Sequence, residues 1–106
     1  MPKFLIKATY LAEGTKGLLK EGGTARRAAV QKLVEGAGGT LEAFYFAYGE
    51  ADAIVLVDMP DANAALGVSL AVNATGAVRL QTVALVTPEE LDKASKLSVN
   101  YRAPGA

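Results

Sequence analysis

The segment that most constrains the fold of this chain is Phe44 to Asp61, with the sequence FYFAYGEADAIVLVDMPD. Two short apolar stretches in it flank the turn residues Gly49 to Asp52, a pattern typical of two strands joined by a tight turn. Pro60 and Asp61 then indicate the start of a helix. Each strand also belongs to a strand-helix-strand unit, so the turn lies at the centre of a chain built from two similar halves.

Periodicity and capping residues predict the other elements. The first half contains a strand at 3–9, a glycine- and lysine-rich loop at 13–23 with one helical turn, a helix at 24–37 capped by Thr24, and strands at 40–47 and 53–57. The second half contains a helix that is capped by Asp61 and ends near 73–76, a strand at 77–86, and a helix from 88 to about 97 that opens with the capping box Thr87-Pro88-Glu89-Glu90.

The order β-α-β-β-α-β predicts an α+β, ferredoxin-like sandwich with an extra C-terminal helix. We expect one domain over residues 1–98 and an extended tail over 99–106. The residues of 53–57 and 83–86 that point away from the helices are also apolar, which predicts that two sheets pack face to face as a dimeric α/β barrel. The second helix has no charged residue between Asp61 and Arg79, so another subunit is the simplest cover for its outer side.

Composition excludes several classes of site. The chain has no cysteine and no histidine, which excludes disulfides, Cys/His zinc sites, thiol nucleophiles and Ser-His-Asp triads. We therefore predict no metal and no cofactor. A formal net charge of zero argues against binding to nucleic acid or to an anionic membrane surface. No apolar run suits a membrane span or a secretory signal, so we expect a cytoplasmic protein.

Four stretches of the sequence together resemble the GYD family of small bacterial proteins. They are TKGLLKEGGTARRAAVQKLVE, EAFYFAYGEADAIVLVDMPD, AVNATGAVRLQT and TPEELDKA. The family takes its name from a Gly-x-Tyr-Asp turn between the two central strands; Gly49 and Asp52 match its glycine and aspartate, whereas Ala51 replaces the tyrosine. The resemblance implies a dimeric α/β barrel fold and carries no established biochemical function.

The first candidate site is an anion-binding site where the helix at 24–37 begins. Two glycines allow backbone N–H groups to approach a ligand there, and the helix dipole favours negative charge. A solvated basic surface beside a flexible loop is the alternative interpretation. The residues predicted to bind an anionic ligand are Lys16, Lys20, Gly22, Gly23, Arg26, Arg27 and Arg79.

The second candidate site is catalytic and consists of Asp52 and Tyr48, with Tyr45 and Arg79 nearby. A carboxylate in apolar surroundings has a raised pKa, which suits a general base. The alternative is that Asp52 caps the turn by accepting hydrogen bonds from backbone N–H groups. The aromatic run of residues 44–46 is interpreted as core or interface packing because no basic residue accompanies it.

These observations favour a homo-oligomeric module that binds a small anionic or apolar ligand, either where the helix at 24–37 begins or in the cleft between two sheets. A cofactor-free enzyme that acts on a small hydrophobic substrate in that cleft is the first alternative. A scaffold that binds another protein through its outer surface and its C-terminal tail is the second. Fold class alone does not choose among them.

Overall fold

The computed structural model describes residues 1–106 and contains four strands and four helices. They are β1 (Lys3–Tyr10), α1 (Ala12–Glu21), α2 (Gly23–Gly36), β2 (Thr40–Phe46), β3 (Ala53–Asp58), α3 (Ala62–Ala74), β4 (Val78–Leu85) and α4 (Pro88–Ser95). The strands form one open antiparallel sheet in the order β2-β3-β1-β4. The predicted α+β class is confirmed, and the strand order is compatible with a ferredoxin-like sandwich.

The core lies between one face of the sheet and the helices α2 and α3. Alternate residues of β1 and β3 point into it, as the two-residue period of a strand requires. The main buried cluster consists of Phe4, Ile6, Val34, Val55, Val57, Met59, Ala65 and Val68. Because these side chains cover only one face, the other face of the sheet is left without a covering layer.

The segment predicted as a glycine-rich loop at 13–23 is instead the helix α1, so that prediction is wrong. Glycine is a poor helix former, which is why the sequence indicates a loop. Tertiary packing outweighs that preference here. The Leu11 N–H donates a hydrogen bond to the Ala77 carbonyl oxygen at 2.9 Å, and a Cβ on Gly14 would overlap the same oxygen. A glycine at position 14 therefore lets α1 approach the beginning of β4 closely.

The start of α2 also differs from the prediction, because Gly22 and not Thr24 is its N-cap residue. Gly22 has φ +88°, a left-handed conformation that glycine adopts without the strain of a side chain. Thr24 lies inside the helix. The glycine sharply separates α1 from α2, so the two helices follow each other directly.

The caps of the last two helices are confirmed. The Ala64 N–H donates a hydrogen bond to the Asp61 carboxylate at 2.8 Å. In the capping box of α4, the Glu90 N–H donates to the Thr87 hydroxyl and the Thr87 N–H donates to the Glu90 carboxylate. The hydrogen bond from the Thr87 N–H is the main cause that lowers the pKa of the Glu90 carboxyl from its ordinary value. Neither length nor hydropathy allows any of the helices to cross a lipid bilayer.

Candidate functional site

The sheet face opposite the helices, called here the open face, has an apolar centre. Leu5 of β1 lies opposite Leu56 of β3 on one side and opposite Val83 of β4 on the other. Val83 is 37% exposed, and Leu5 and Leu56 are only partly buried. The apolar surface predicted for this side of the sheet is therefore present.

A groove of about 600 Å³ lies on the open face at the end of the sheet where the β2–β3 turn is found. Its lining combines polar side chains of β1 and β4 with apolar atoms of the turn and of β3. The lining residues are Lys7, Thr9, Ala47, Tyr48, Gly49, Glu50, Ala51, Ile54, Arg79, Leu80 and Gln81. A volume of this size is in the range of small-molecule sites.

Two cations, Lys7 and Arg79, lie side by side in this groove. In the β1–β4 register, Lys7 pairs with Gln81 and Thr9 pairs with Arg79. Lys7 and Arg79 are thus diagonal neighbours, and such pairs have Cα atoms about 7–8 Å apart. Neither cation takes part in any of the ion pairs of the chain. Two positive charges in one groove therefore have no acidic partner within 4 Å.

The opposite end of the open face is different, because its cation is paired. The Lys3 ammonium donates a hydrogen bond to Glu42 at 2.7 Å and to Asp58 at 3.0 Å. The bonds to Glu42 and then to Asp58 raise the pKa of Lys3 above its ordinary value. This arrangement joins β2, β1 and β3 at one end of the sheet and pairs the charge of Lys3 with two carboxylates.

The two predicted catalytic residues lie close in sequence but have different surroundings. Tyr48 is exposed and lines the groove, as does Arg79. The Asp52 carboxylate is absent from the lining and accepts a hydrogen bond from the Tyr10 N–H at 2.8 Å. Asp52 thus bonds the backbone of β1 and not the N–H groups of its own turn. Tyr45 shares the open face but lines a separate depression. The catalytic role of this group stays a prediction.

The residues predicted to form the anion site do not converge on one place. Lys16 is within 3.6 Å of Glu13. A Cβ on Gly23 would lie 2.9 Å from the Phe46 ring, so this glycine serves helix packing. Arg26 and Lys20 line a groove bounded by α1, α2 and α3 together with Glu13 and Glu21, whereas Arg27 lines other depressions beside β2. Arg79 lies across the sheet on the open face, apart from all of them.

The family model for the GYD domain matches residues 4–95, which is most of the chain. The chain belongs to the GYD domain family. No curated protein and no solved structure matches it. In this GYD domain the turn of residues 49–52, which resembles the Gly-x-Tyr-Asp motif, borders the groove: Gly49 and Ala51 line it. The motif therefore lies at the same end of the sheet as the unpaired cations.

Four polar residues that line the groove of this GYD domain were not predicted as site residues: Lys7, Thr9, Gln81 and Glu50. The first three belong to strands and face away from the helices, whereas Glu50 lies in the β2–β3 turn. The signal that would have identified the strand residues is the two-residue alternation of β1 and β4, which places a lysine and an arginine on a face whose centre is apolar. A charged side chain on such a face indicates a ligand or an interface more strongly than one on a helix surface.

Proposed function

We propose that this GYD domain is a homo-oligomeric binding module for a small carboxylate with an apolar body, held in the groove beside the β2–β3 turn. The observation that carries this proposal is the position of Lys7 and Arg79, two cations without acidic partners in one groove. An arginine guanidinium donates two parallel hydrogen bonds to a carboxylate, and a lysine ammonium adds a second positive charge.

The rest of the groove lining supports a ligand that is only partly polar. Thr9, Gln81 and Tyr48 supply hydroxyl and amide groups around the cations, while Ile54 and Ala51 supply apolar surface. Few polar groups beside a larger apolar surface are typical of sites for small organic molecules. This mixture favours an organic acid over inorganic phosphate. Glu50 also lines the groove, and its negative charge disfavours ligands with several anionic groups.

The homo-oligomeric part of the proposal is supported by the apolar centre of the open face. Leu5, Leu56 and Val83 form a surface that pairing with a second sheet removes from water. Pairing also encloses the groove, where unpaired cations become costly unless an anion neutralises them. A bound carboxylate therefore suits the paired state better than it suits a single open sheet.

The first experiment is native mass spectrometry of the protein purified gently from its host cells, followed by titration with benzoate, octanoate and inorganic phosphate in a calorimeter. We expect the two carboxylates to bind more tightly than phosphate. The double variant Lys7→Met with Arg79→Met should lower carboxylate affinity about tenfold or more, because it removes both charge-assisted hydrogen bonds.

The matched control is Lys20→Met with Arg27→Met, which removes one lysine and one arginine from the α1–α2 side of the molecule. We expect this control to bind carboxylates as the wild type does. If the control loses binding and the groove variant keeps it, the anion site lies where α2 begins, as the sequence first indicated. If neither benzoate nor octanoate binds at millimolar concentration, the proposed function is wrong.

A further inference from the structure

A second groove lies on the helix side of the sheet, bounded by α1, α2, α3 and the ends of β1 and β4, and is called here the helix-side groove. Its volume is about 850 Å³. Tyr10 of β1 pairs with Val78 of β4, and both residues line it, whereas their neighbours Thr9 and Arg79 line the groove on the open face. The two grooves therefore lie on opposite faces of the same end of the sheet.

A small cavity of about 40 Å³ adjoins the helix-side groove and extends toward the core. Tyr10, Arg26, Leu33, Val72 and Val78 line both the cavity and the groove. Every other residue that lines the cavity is aliphatic. Cavities with such a lining stay dry and take up apolar groups. Because this one is much smaller than the cavity of about 150 Å³ that binds benzene, it suits the end of an alkyl chain and not an aromatic ring.

Two hydrogen-bond donors, the Arg26 guanidinium and the Tyr10 hydroxyl, belong to the residues shared by the cavity and the groove. Arg26 is partly buried and is the one charged residue of the cavity lining. No carboxylate lies within 4 Å of it, and neither side chain makes a hydrogen bond within the chain. A guanidinium beside an apolar cavity loses part of its hydration, and a carboxylate accepts two parallel hydrogen bonds from it. These donors therefore favour a ligand with a carboxylate.

The helix-side groove also contains negative charge that a carboxylate alone does not match. Lys20 and Arg26 line it together with Glu13 and Glu21. Glu13 is paired with Lys16 at 3.6 Å, whereas Glu21 has no basic partner within 4 Å. An unpaired carboxylate and an unpaired guanidinium thus line the same groove. Charge complementarity favours a ligand that carries an ammonium as well as a carboxylate.

Gly17 of α1 is an independent indication that space in this groove is kept free. It lies inside the helix, where glycine is unfavourable. Packing explains the glycine at position 14, because a Cβ there would overlap the Ala77 carbonyl oxygen. A Cβ on Gly17 would meet no atom within 4 Å, although Gly17 lines the groove. Packing within the chain therefore does not require this glycine, whereas a ligand in the groove benefits from the missing side chain.

We propose that the helix-side groove and its cavity bind an aliphatic α-amino acid such as leucine. The carboxylate accepts hydrogen bonds from Arg26 and from the Tyr10 hydroxyl, the ammonium lies on the side of Glu21, and the alkyl chain enters the cavity. An α-amino acid carries these three groups on one carbon atom. The site goes beyond the proposed function and shares no residue with the groove on the open face except Leu80 of the cavity lining.

The test is calorimetric titration of the full-length variant Lys7→Met with Arg79→Met, in which the carboxylate site of the open face is removed. The probes are L-leucine, 4-methylpentanoate, which has the same carbon chain and carboxylate without the ammonium, and glycine, which lacks the alkyl chain. We expect leucine to bind at least about tenfold more tightly than either of the other two. Equal affinity for leucine and 4-methylpentanoate would mean that the site does not recognise an amino acid.

Arg26→Met, added to the same variant, should weaken leucine binding about tenfold or more because it removes the charge-assisted hydrogen bonds. Arg27→Met is the matched control, since Arg27 is the next residue of α2 and lines neither the helix-side groove nor the cavity. We expect it to leave leucine affinity unchanged. An equal loss in both variants would contradict a direct role of Arg26 at the ligand.

Gly17→Leu tests the space in the groove without removing a charge. It should weaken leucine binding, whereas Gly67→Leu should not, because Gly67 of α3 also has no atom within 4 Å of a built Cβ but lines neither the groove nor the cavity. Far-ultraviolet circular dichroism checks that all variants are folded. If Gly17→Leu is folded and binds leucine as tightly as Gly67→Leu does, the ligand does not occupy the groove.

Two further outcomes separate this inference from the proposed function. If the wild type binds leucine and the variant Lys7→Met with Arg79→Met does not, leucine occupies the groove on the open face and the inference is wrong. If leucine does not bind either protein at millimolar concentration, the inference is wrong as well, while benzoate binding to the wild type still decides the proposed function.

Discussion

The two ends of the open face carry the same kind of residue in opposite situations. At one end, the Lys3 ammonium lies within hydrogen-bond distance of Glu42 and Asp58. At the other end of the same strand, Lys7 has no acidic partner, and Arg79 beside it has none either. A paired cation stabilises the fold, while unpaired cations in a groove are available to a ligand. One end of the open face is thus structural, and the other, called here the binding end, is where we propose that a ligand binds.

Charge reversal gives the largest expected difference between the two ends. Lys3→Glu places a third carboxylate beside Glu42 and Asp58, so we expect the melting temperature to fall by several degrees. Lys7→Glu is the matched control on the same strand and face. It introduces an acid next to Arg79, so we expect the melting temperature to stay the same or to rise slightly. Differential scanning calorimetry measures both.

If Lys7→Glu destabilises the protein as much as Lys3→Glu does, Lys7 also has a structural role. The two ends of the open face would then not differ in their contribution to stability. Carboxylate binding provides the reciprocal check. Lys3→Glu should leave benzoate affinity unchanged because Lys3 is at the far end of the strand, whereas Lys7→Glu should weaken it.

A smaller effect is expected from Ala51→Tyr, which introduces the tyrosine that the resemblance to the Gly-x-Tyr-Asp motif implies at this position of the binding end. Ala51 lines the groove, so a phenol at this position takes up part of the ligand volume. We expect benzoate affinity to fall about tenfold in calorimetric titration, with little change in melting temperature. Ala51→Ser is the control, because it adds a hydroxyl without an aromatic ring. If Ala51→Tyr raises benzoate affinity, the small side chain of Ala51 does not serve to leave space for the ligand.

The features that could be predicted from the sequence are those that depend on neighbouring residues. The caps at Asp61 and Thr87 involve partners three residues away, and the apolar alternation of β1 is local as well. The prediction of α1 failed because its glycines indicate a loop. What permits the helix is a contact between Gly14 and the distant Ala77 carbonyl oxygen, and no local pattern contains that contact.

The candidate site was harder to predict because it depends on strand register. Lys7 and Arg79 are far apart in the sequence, and they become neighbours only through the β1–β4 pairing. Arg79 was grouped with basic residues of α1 and α2, which lie across the sheet, and also with Tyr48, with which it does line the groove. The two-residue alternation of β1 places Lys7 on the open face, because a shift of one residue in register would put it in the core. The alternation does not show that Arg79 of β4 is its neighbour.

The smallest expected effect is a pH dependence at the structural end. Because hydrogen bonds to Glu42 and Asp58 raise the pKa of Lys3 in the folded state, its stabilisation is fully present below the ordinary lysine pKa. It is lost as the pH rises through the higher folded-state pKa. Lys3→Met removes this contribution. The difference in unfolding free energy between wild type and variant should therefore be constant near neutral pH and shrink in strongly alkaline solution.

Urea unfolding of both proteins between about pH 8 and about pH 11.5 measures that difference, and comparison of the two cancels the titration of the other lysines and the tyrosines. The effect should be small and should weaken in high salt, because the Lys3 side chain is partly exposed and solvent screens exposed pairs. Lys7→Met should show no such alkaline change, since no carboxylate pairs with Lys7. An equal alkaline change in both variants would mean that the two ends of the sheet do not differ in charge pairing.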